Sequence, residues 1–300
     1  MRFLKNYMQD KTPIIGTGLS GLVGSKFVDL YQSKYQITNL DLNDPTNPVD
    51  ITNADQVMQA VKSSPTKFII HMAAYTNVTG AWEQRGDKSG PAYQVNVVGT
   101  KNIASAAEAT GKHLIHISTA YVFDGEKTDL YTEEDEPNPI EWYGQTKLMA
   151  EEIVQKLTTP WTILRIDQPF RSDEAVRPDV VRRIIAKLQD NTLPPQFADH
   201  HMGPTFIDDF AKVLDFVIRQ RLTGLYHASS GESWTDYEFA LAIAKRLGHE
   251  SQVKKGSLAK YLETTNRPYQ KNTAMSVAKL KKLLDFKLTP IKEAIGQVKF

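Results

Sequence analysis

Tyr143 and Lys147 stand four apart in the run YGQTK, a spacing that puts both side chains on one face of a helix. A phenol of ordinary pKa, about 10, is a poor acid–base group at neutral pH, and a neighbouring ammonium draws it toward the working range by stabilising the phenolate. Upstream, Ser118-Thr119-Ala120-Tyr121 follows directly on the apolar run Leu114-Ile115-His116-Ile117. Open α/β sheets place ligands at the carboxyl ends of their strands, and a hydroxyl there can donate a hydrogen bond to a carbonyl oxygen as that oxygen gains charge. A tyrosine and a lysine at this spacing are also common on protein surfaces, so the case rests on what surrounds them.

What surrounds them is a nucleotide-binding pattern. Thr17-Gly18-Leu19-Ser20-Gly21-Leu22-Val23-Gly24 follows a short apolar strand and opens a helix. Glycines are needed where backbone amides approach a pyrophosphate and where the helix packs closely on the sheet, and the helix N-terminus offers unpaired N–H groups to the phosphates. Gly18, Leu19, Ser20, Gly21, Leu22 and Gly24 are therefore the expected cofactor-binding turn. Asp41 ends the next strand, about twenty residues on, where a carboxylate binds the ribose hydroxyls. It would repel a 2′-phosphate and no arginine follows it in LDLND, so the cofactor is NAD(H) or NADP(H) with a slight preference for NAD(H).

These groups need a scaffold. Pro13–Ile15, Gln36–Leu40, Lys67–Met72, Leu114–Ile117 and Trp161–Ile166 read as strands, alternating with helices over Ser20–Ser33, Asn53–Ser63 (capped by Asn53), Pro91–Thr110 (stopped by Gly111) and Trp142–Leu157. That alternation predicts a Rossmann-type, doubly wound parallel α/β sheet over residues 1–165. Beyond Arg165 charge and proline rise, and helices over Val180–Gln189, Ile207–Gln220 and Asp236–Leu247 mix with a strand-like GLYHASS. Residues 166–300 are read as mainly a smaller, mixed α/β substrate-binding lobe, with a segment near 205–230 returning to the first domain.

Composition narrows the function classes. The chain has 300 residues, 36 basic and 35 acidic, for a formal charge of +1, so no global attraction to nucleic acid or an anionic membrane is implied. The absence of cysteine excludes a disulfide framework and thiolate chemistry and fits a reducing, cytoplasmic setting. No apolar run approaches the length of a membrane span. MRFLKNYMQDKT lacks the apolar core of a signal peptide and reads as a polar extension.

With TGxxGxxG, the strand-end HMAAYT, ISTAYVFDG and YGQTK in order, the chain resembles the extended short-chain dehydrogenases/reductases over nearly its whole length. More narrowly it is similar to dTDP-4-dehydrorhamnose reductases, through AAYTNV, STAYVFDG, the run Tyr131-Thr132-Glu133-Glu134-Asp135, Gly203-Pro204-Thr205 and GLYHASSGESWTDYEFA. The resemblance implies NAD(P)H-dependent reduction of a nucleotide-activated 4-keto sugar: hydride passes from the nicotinamide to C4 while Tyr143 protonates the oxyanion. Lys147 would bind the nicotinamide ribose and lower the Tyr143 pKa, and Thr119, with Ser118 as substitute, would hold the substrate oxygen. Asp50 and Ile51 should lie near the adenine, Ala73, Ala74 and Tyr75 should line the cofactor, Asn96 should support the site, and Arg267 is a candidate substrate contact. The partners implied are the nucleotide-sugar substrate and a second copy of the chain in a homodimer. Two other members of this resemblance compete: the non-catalytic regulatory subunit of methionine adenosyltransferase, and the sugar-nucleotide epimerases.

Departures from the family pattern fall in the sugar pocket. Ala120 stands where these reductases usually carry an aspartate thought to orient the sugar, and Ala120-Tyr121 replaces the dehydratases' Asp–Glu pair. IDQPFRSDE lacks the aromatic-and-glycine pattern expected after the fifth strand. Other residues are expected to be bland: His200-His201 a polar loop rather than metal ligands, with no metal foreseen; His71 structural; Glu133–Glu136 a solvated loop; Trp82 and Trp142 packing residues; and KLKKLLDFK a solvated helical face.

Overall fold

Ile14 and Ile15, Ile69 and Ile70, Leu114 and Ile115, and Ile163 and Leu164 are all buried pairs of consecutive residues, as strands covered on both faces require. In the computed structural model, which describes residues 11–44, 48–175 and 177–299, they lie in one six-stranded parallel sheet. Its strands are β1 (Thr12–Thr17), β2 (Tyr35–Leu40), β3 (Phe68–His71), β4 (His113–Thr119), β5 (Trp161–Ile166) and β6 (Gly224–His227), in the order β6-β5-β4-β3-β1-β2. The order reverses between β1 and β3, whose carboxyl ends meet at the Thr17–His71 register pair. That reversal is where such sheets open a crevice for nucleotides. The polar extension expected at the amino terminus lies, up to Asp10, outside the described residues.

The seven longer helices are α1 (Leu22–Tyr31), α2 (Ala54–Ser63), α3 (Thr100–Thr110), α4 (Trp142–Gln155), α5 (Val180–Gln189), α6 (Ile207–Gln220) and α7 (Asp236–Leu247). Strand periodicity divides the core. Ile14, Ile70, Ile115 and Leu164 face Phe27 of α1 and Phe210, Leu214 and Val217 of α6. The alternate residues Ile15, Ile69, Leu114 and Ile163 face Val57 and Val61 of α2, Ile103 and Ala107 of α3, and Val154 of α4. A separate core joins Val181, Ile184, Ile185 and Leu188 of α5 to Phe239, Ala240 and Ile243 of α7, with Phe170 and Phe206. Three two-stranded sheets belong to this second part, while α6 and β6 lie against and within the large sheet.

Local chemistry accounts for where the observed elements differ from the expected ones. Helix α1 begins at Leu22, after Gly21 as N-cap, and the Ser20 hydroxyl ahead of it donates to Asp41. The stretch Pro91–Thr110 is not one α-helix: Pro91–Tyr93 leads into a π-helical turn, Gln94–Gly99, before α3. The wider turn holds the Asn96 side chain on Tyr75 and Thr146, a typical use of π geometry near a functional site. Asn53 caps α2 through the amides of Asp55 and Gln56, and Gly111 ends α3 in the left-handed region, both as expected. In KLKKLLDFK only Lys279 to Lys281, the end of the short helix Ala278–Lys281, are helical; Leu280, Leu284 and Phe286 turn inward onto the sheet core, while the lysines, Leu283 and Asp285 are exposed.

Beneath α4 the sheet contains a fully buried ion pair. Glu151 grips Arg165 of β5 at two points, Nε–Oε1 2.9 Å and Nη2–Oε2 2.6 Å, and the guanidinium lies 5.0 Å from the centre of the Phe123 ring. Removing one partner leaves the other charge buried without compensation. Glu151→Ala is expected to lower unfolding free energy by about 3–5 kcal/mol in urea titrations, and Glu151→Gln by less.

Candidate functional site

The phosphate-turn sequence folds into the crevice between β1 and β3. Gly18 has φ 68°, and a Cβ on it would sit 2.6 Å from the Ala73 amide nitrogen, so only glycine lets this turn lie against the chain leaving β3. A Cβ on Gly24 would come within 2.5 Å of Leu19 Cα, so α1 can pack closely only through glycine. Leu19 is buried in the core and its amide donates to Asn39 Oδ1 (3.2 Å); Leu22 opens α1, whose N-cap, Gly21, has no side chain to occupy the helix terminus. Asp41 closes the turn. It accepts hydrogen bonds from the Asn43 amide (3.0 Å), the Ser20 hydroxyl (2.8 Å) and the Asn39 amide group (3.3 Å), which hold its carboxyl below the usual range. Asp50 accepts from Thr52, while Ile51 is buried and bonded through its carbonyl to Asn102. Ala73 donates to the Thr17 hydroxyl (3.3 Å), Ala74 is half-buried, and Tyr75 is held at N–H and C=O by Asn96.

A buried hydrogen-bonded chain runs from this turn to α4. His71 Nδ1 meets Thr17 Oγ1 at 2.7 Å, and His71 Nε2 meets Thr100 Oγ1 at 2.9 Å. Thr100 spends its own proton on the Asn96 carbonyl (2.6 Å), so it accepts from His71 Nε2–H, and His71 Nδ1 accepts from Thr17. Asn96 Nδ2 donates to Thr146 Oγ1 (3.0 Å), which donates to the Tyr143 carbonyl (2.8 Å). Burial pushes the His71 imidazole down to about 3, so it stays neutral, and the structure gives it a structural place.

Tyr143, Lys147 and Glu151 are buried along one face of α4. Thr119, the last residue of β4, acts on the Tyr143 phenol through its hydroxyl and lowers its pKa, whereas the Ser118 hydroxyl is buried without a partner. Lys147 Nζ donates to the Ile117 carbonyl (2.7 Å) and to His116 Nε2 (3.2 Å). Burial pushes its ammonium down to about 8 against the opposing pull of Glu151. The expected lowering of the phenol by Lys147 requires correction. Burial, then the charge of Glu141, raise the Tyr143 pKa well above the ordinary phenol value, and the Thr119 hydrogen bond only partly offsets them. Lys147, whose own ammonium is weakened by burial, is not among the groups that set the phenol's shift.

Several residues around this set were not singled out as site residues from sequence. Glu141 is wholly buried and caps α4 through the amides of Tyr143 (2.8 Å) and Gly144 (2.6 Å); burial raises its carboxyl to about 7. Asp167 follows β5, and burial raises it to about 6. Glu151 was legible as the residue one further turn along the Tyr143/Lys147 face; His116 and Asp167 had no signal beyond a polar residue in or after an apolar strand. Arg267 lies over the Tyr269 ring (3.7 Å to the centre), and its charge acts on Tyr121 and Glu141.

Two bland expectations are corrected. His200 is buried and paired with Asp236 at 2.9 Å, so the pair His200-His201 is not a simple polar loop. In the run Glu133–Glu136, Glu133 accepts from the His227 amide and Asp135 binds Lys127 and Thr132, leaving only Glu134 and Glu136 exposed. Trp142 packs in a cluster with Ala81, Ala92 and Tyr143, and Trp82 carries Arg85 over its ring. Among the described residues no group of three His, Cys, Asp or Glu is arranged to hold a metal ion, and no helix is long and apolar enough to cross a membrane.

A parallel sheet with this strand order, a glycine turn at its reversal point and a carboxylate ending β2 define a Rossmann-type α/β protein. The chain belongs to the RmlD substrate binding domain family, which it matches over residues 12–299. It is 28% identical over 288 residues to a dTDP-4-dehydrorhamnose reductase of Aggregatibacter actinomycetemcomitans, covering 93% of this chain and 92% of that one. It is 29% identical over 299 residues to the methionine adenosyltransferase 2 subunit beta of Mus musculus, covering 95% and 86%. Its fold matches the crystal structure of dTDP-4-dehydrorhamnose reductase from Bacillus anthracis in complex with NADP, with a TM-score of 0.86, 28% identity, and coverage of 96% and 98%.

The buried Glu141 makes stability depend on pH. Its carboxyl is raised from 4.5 to about 7 in the folded chain, so its protonated form supports folding, fully below about 4.5 and progressively less as pH rises through 7. Between pH 4.5 and 7 the parent should therefore lose a few kcal/mol more than Glu141→Gln, read from denaturant midpoints at each pH.

Proposed function

We propose that this chain is an NAD(P)H-dependent reductase of a nucleotide-activated 4-keto sugar, of the dTDP-4-dehydrorhamnose reductase kind. The observation that carries the reading is the Thr119–Tyr143 hydroxyl pair at the carboxyl end of β4, with Lys147 one helical turn along the same buried face. The residues suit a dinucleotide: the turn from Gly18 to Gly24 for the pyrophosphate, ionised Asp41 for the adenosine ribose, Asp50 and Ile51 beside the adenine, Ala73–Tyr75 along the crevice, and Lys147 for the second ribose. A bound nicotinamide supplies the hydride.

The chain's own groups handle the oxygen and the proton. Thr119 donates to the ketone oxygen and Tyr143 transfers its proton there as negative charge grows. Because burial and Glu141 raise the phenol's pKa, Tyr143 carries its proton throughout the neutral range, as a proton donor must. Lys147 has two of its three N–H groups on Ile117 and His116, which leaves one for a ribose hydroxyl. Asp41, ionised and close to the turn, favours NADH through repulsion of a 2′-phosphate.

A second reading has a specific observation behind it, the 29% identity to a methionine adenosyltransferase 2 subunit beta over 95% of this chain. In that reading the chain binds the cofactor and acts through a partner enzyme without turnover.

A screen of NADH and NADPH oxidation over a panel of 4-keto sugar nucleotides separates the two. Turnover by the parent, lowered at least about 100-fold in Tyr143→Phe with cofactor affinity unchanged, is the expected result. Tight cofactor binding without turnover on any member of the panel, together with co-purification of a partner enzyme, overturns the reductase reading. Asp41→Ala should reduce the NADH-over-NADPH ratio of kcat/KM by about tenfold, an electrostatic difference of about 1.4 kcal/mol.

A further inference from the structure

Asp167 stands one residue beyond Ile166, which is the register partner of Thr119 across β4 and β5. It is therefore at the carboxyl end of the strand next to the one that carries the Thr119 hydroxyl, where sheets of this type receive ligands. Its side chain is 2% exposed and anchored at one oxygen only. Oδ2 accepts from the Gly203 amide (2.9 Å) and the Thr273 hydroxyl (2.7 Å), whereas Oδ1 is buried with no partner. A buried carboxylate oxygen without a donor has given up its water without replacement, and at the ligand end of such a sheet a bound hydroxyl would restore the bond. The next residue, Gln168, has φ 37°, a conformation costly for a side-chain-bearing residue and found mostly where function demands it.

Arg267 shows the complementary feature. It is 8% exposed, its guanidinium is stacked on Tyr269, and its Nη1 is buried without an acceptor. Both charges reach the catalytic end of the sheet: Asp167 acts on Tyr121 and Tyr143, and Arg267 acts on Tyr121 with the opposite sign. An unpaired acceptor and an unpaired donor thus both act on Tyr121, and the acceptor acts on Tyr143 as well.

We propose that Asp167 Oδ1 accepts a hydroxyl of the substrate's sugar, beside Arg267, the substrate contact that the resemblance already implies and whose Nη1 is free to donate to the same ligand. The proposal deepens the reductase reading and rests on it for the class of ligand. A carboxylate repels the diphosphate and suits a neutral O–H donor, and its place beside the strand that carries Thr119 assigns that donor to the sugar. Its anchored Oδ2 fixes the direction of Oδ1, which makes the acceptor selective for one hydroxyl position. Both unpaired atoms are sealed from solvent, so a sugar reaches them only if the side chains that cover them move.

The test is calorimetric binding to the full chain of dTDP-glucose and UDP-glucose, their singly deoxygenated sugar analogues, and dTDP and UDP alone. The parent should bind a sugar nucleotide about 10- to 100-fold more tightly than the bare diphosphate. Asp167→Asn, which sets an N–H donor where Oδ1 stood, should erase that increment while dTDP, UDP and NADH bind as before. One deoxy analogue should lose the same increment on the parent and be indifferent to the substitution. An Asp167→Asn protein with unchanged Tm and an undiminished increment overturns the proposal, as does a parent that binds every deoxy analogue like the full sugar, or shows no increment at all. If the variant fails to fold, the deoxy series on the parent decides alone. A parent with the increment but no turnover sinks the reductase reading and leaves Asp167 standing; a parent whose KM is unmoved by Asp167→Asn sinks only Asp167.

Discussion

The hydroxyl of Thr17, the imidazole of His71 and the hydroxyl of Thr100 form a chain of hydrogen bonds inside the sheet, where no water competes. Through Asn96 and Thr146 that chain continues to the backbone of Tyr143. Each hydroxyl has one proton, so fixing one donor fixes the next, and the neutral His71 is confined to a single tautomer. The consequence is mechanical. The phosphate turn at the end of β1 and the helix that carries the phenol and ammonium cannot shift independently without stranding buried polar groups, and a reaction between a cofactor and a substrate needs that rigidity.

Burial sets the protonation states of the groups around this chain. It raises the Tyr143 phenol and the carboxyls of Glu141 and Asp167, and it lowers the Lys147 ammonium. The same exclusion of water that makes the Glu151–Arg165 pair costly to break keeps the phenol protonated and leaves Lys147 poised near the working range. The ammonium's partners in this structure are Ile117 and His116, and the phenol's acidity is set by burial first, then by Glu141, Thr119 and Asp167.

Fold and family alone do not decide whether such a chain turns over a substrate, because the chain is similar both to a dTDP-4-dehydrorhamnose reductase and to a methionine adenosyltransferase 2 subunit beta. The weight falls on the site. Ala120 removes a carboxylate that the resemblance leads one to expect, while Asp167 brings another to the carboxyl end of the adjacent strand. One part of the chain that departs from the family pattern, the stretch after β5, is thus the part that carries the unpaired carboxyl oxygen.

Much of the scaffold was legible beforehand. Ile14-Ile15, Leu114-Ile115 and Ile163-Leu164 announce strands covered on both faces, Asn53 and Gly111 mark helix ends through their own backbone chemistry, and glycines at 18, 21 and 24 after a strand imply a phosphate turn. These are local rules, so sequence by itself determined the strand–helix alternation, the turn and the shared face of Tyr143 and Lys147. The π turn at Gln94–Gly99, the burial of His200 against Asp236, the direction of the Lys147 ammonium and the half-satisfied Asp167 were decided only by the tertiary structure. Each depends on partners tens of residues away, and burial and hydrogen bonding between such partners exist only once the sheet has brought them together.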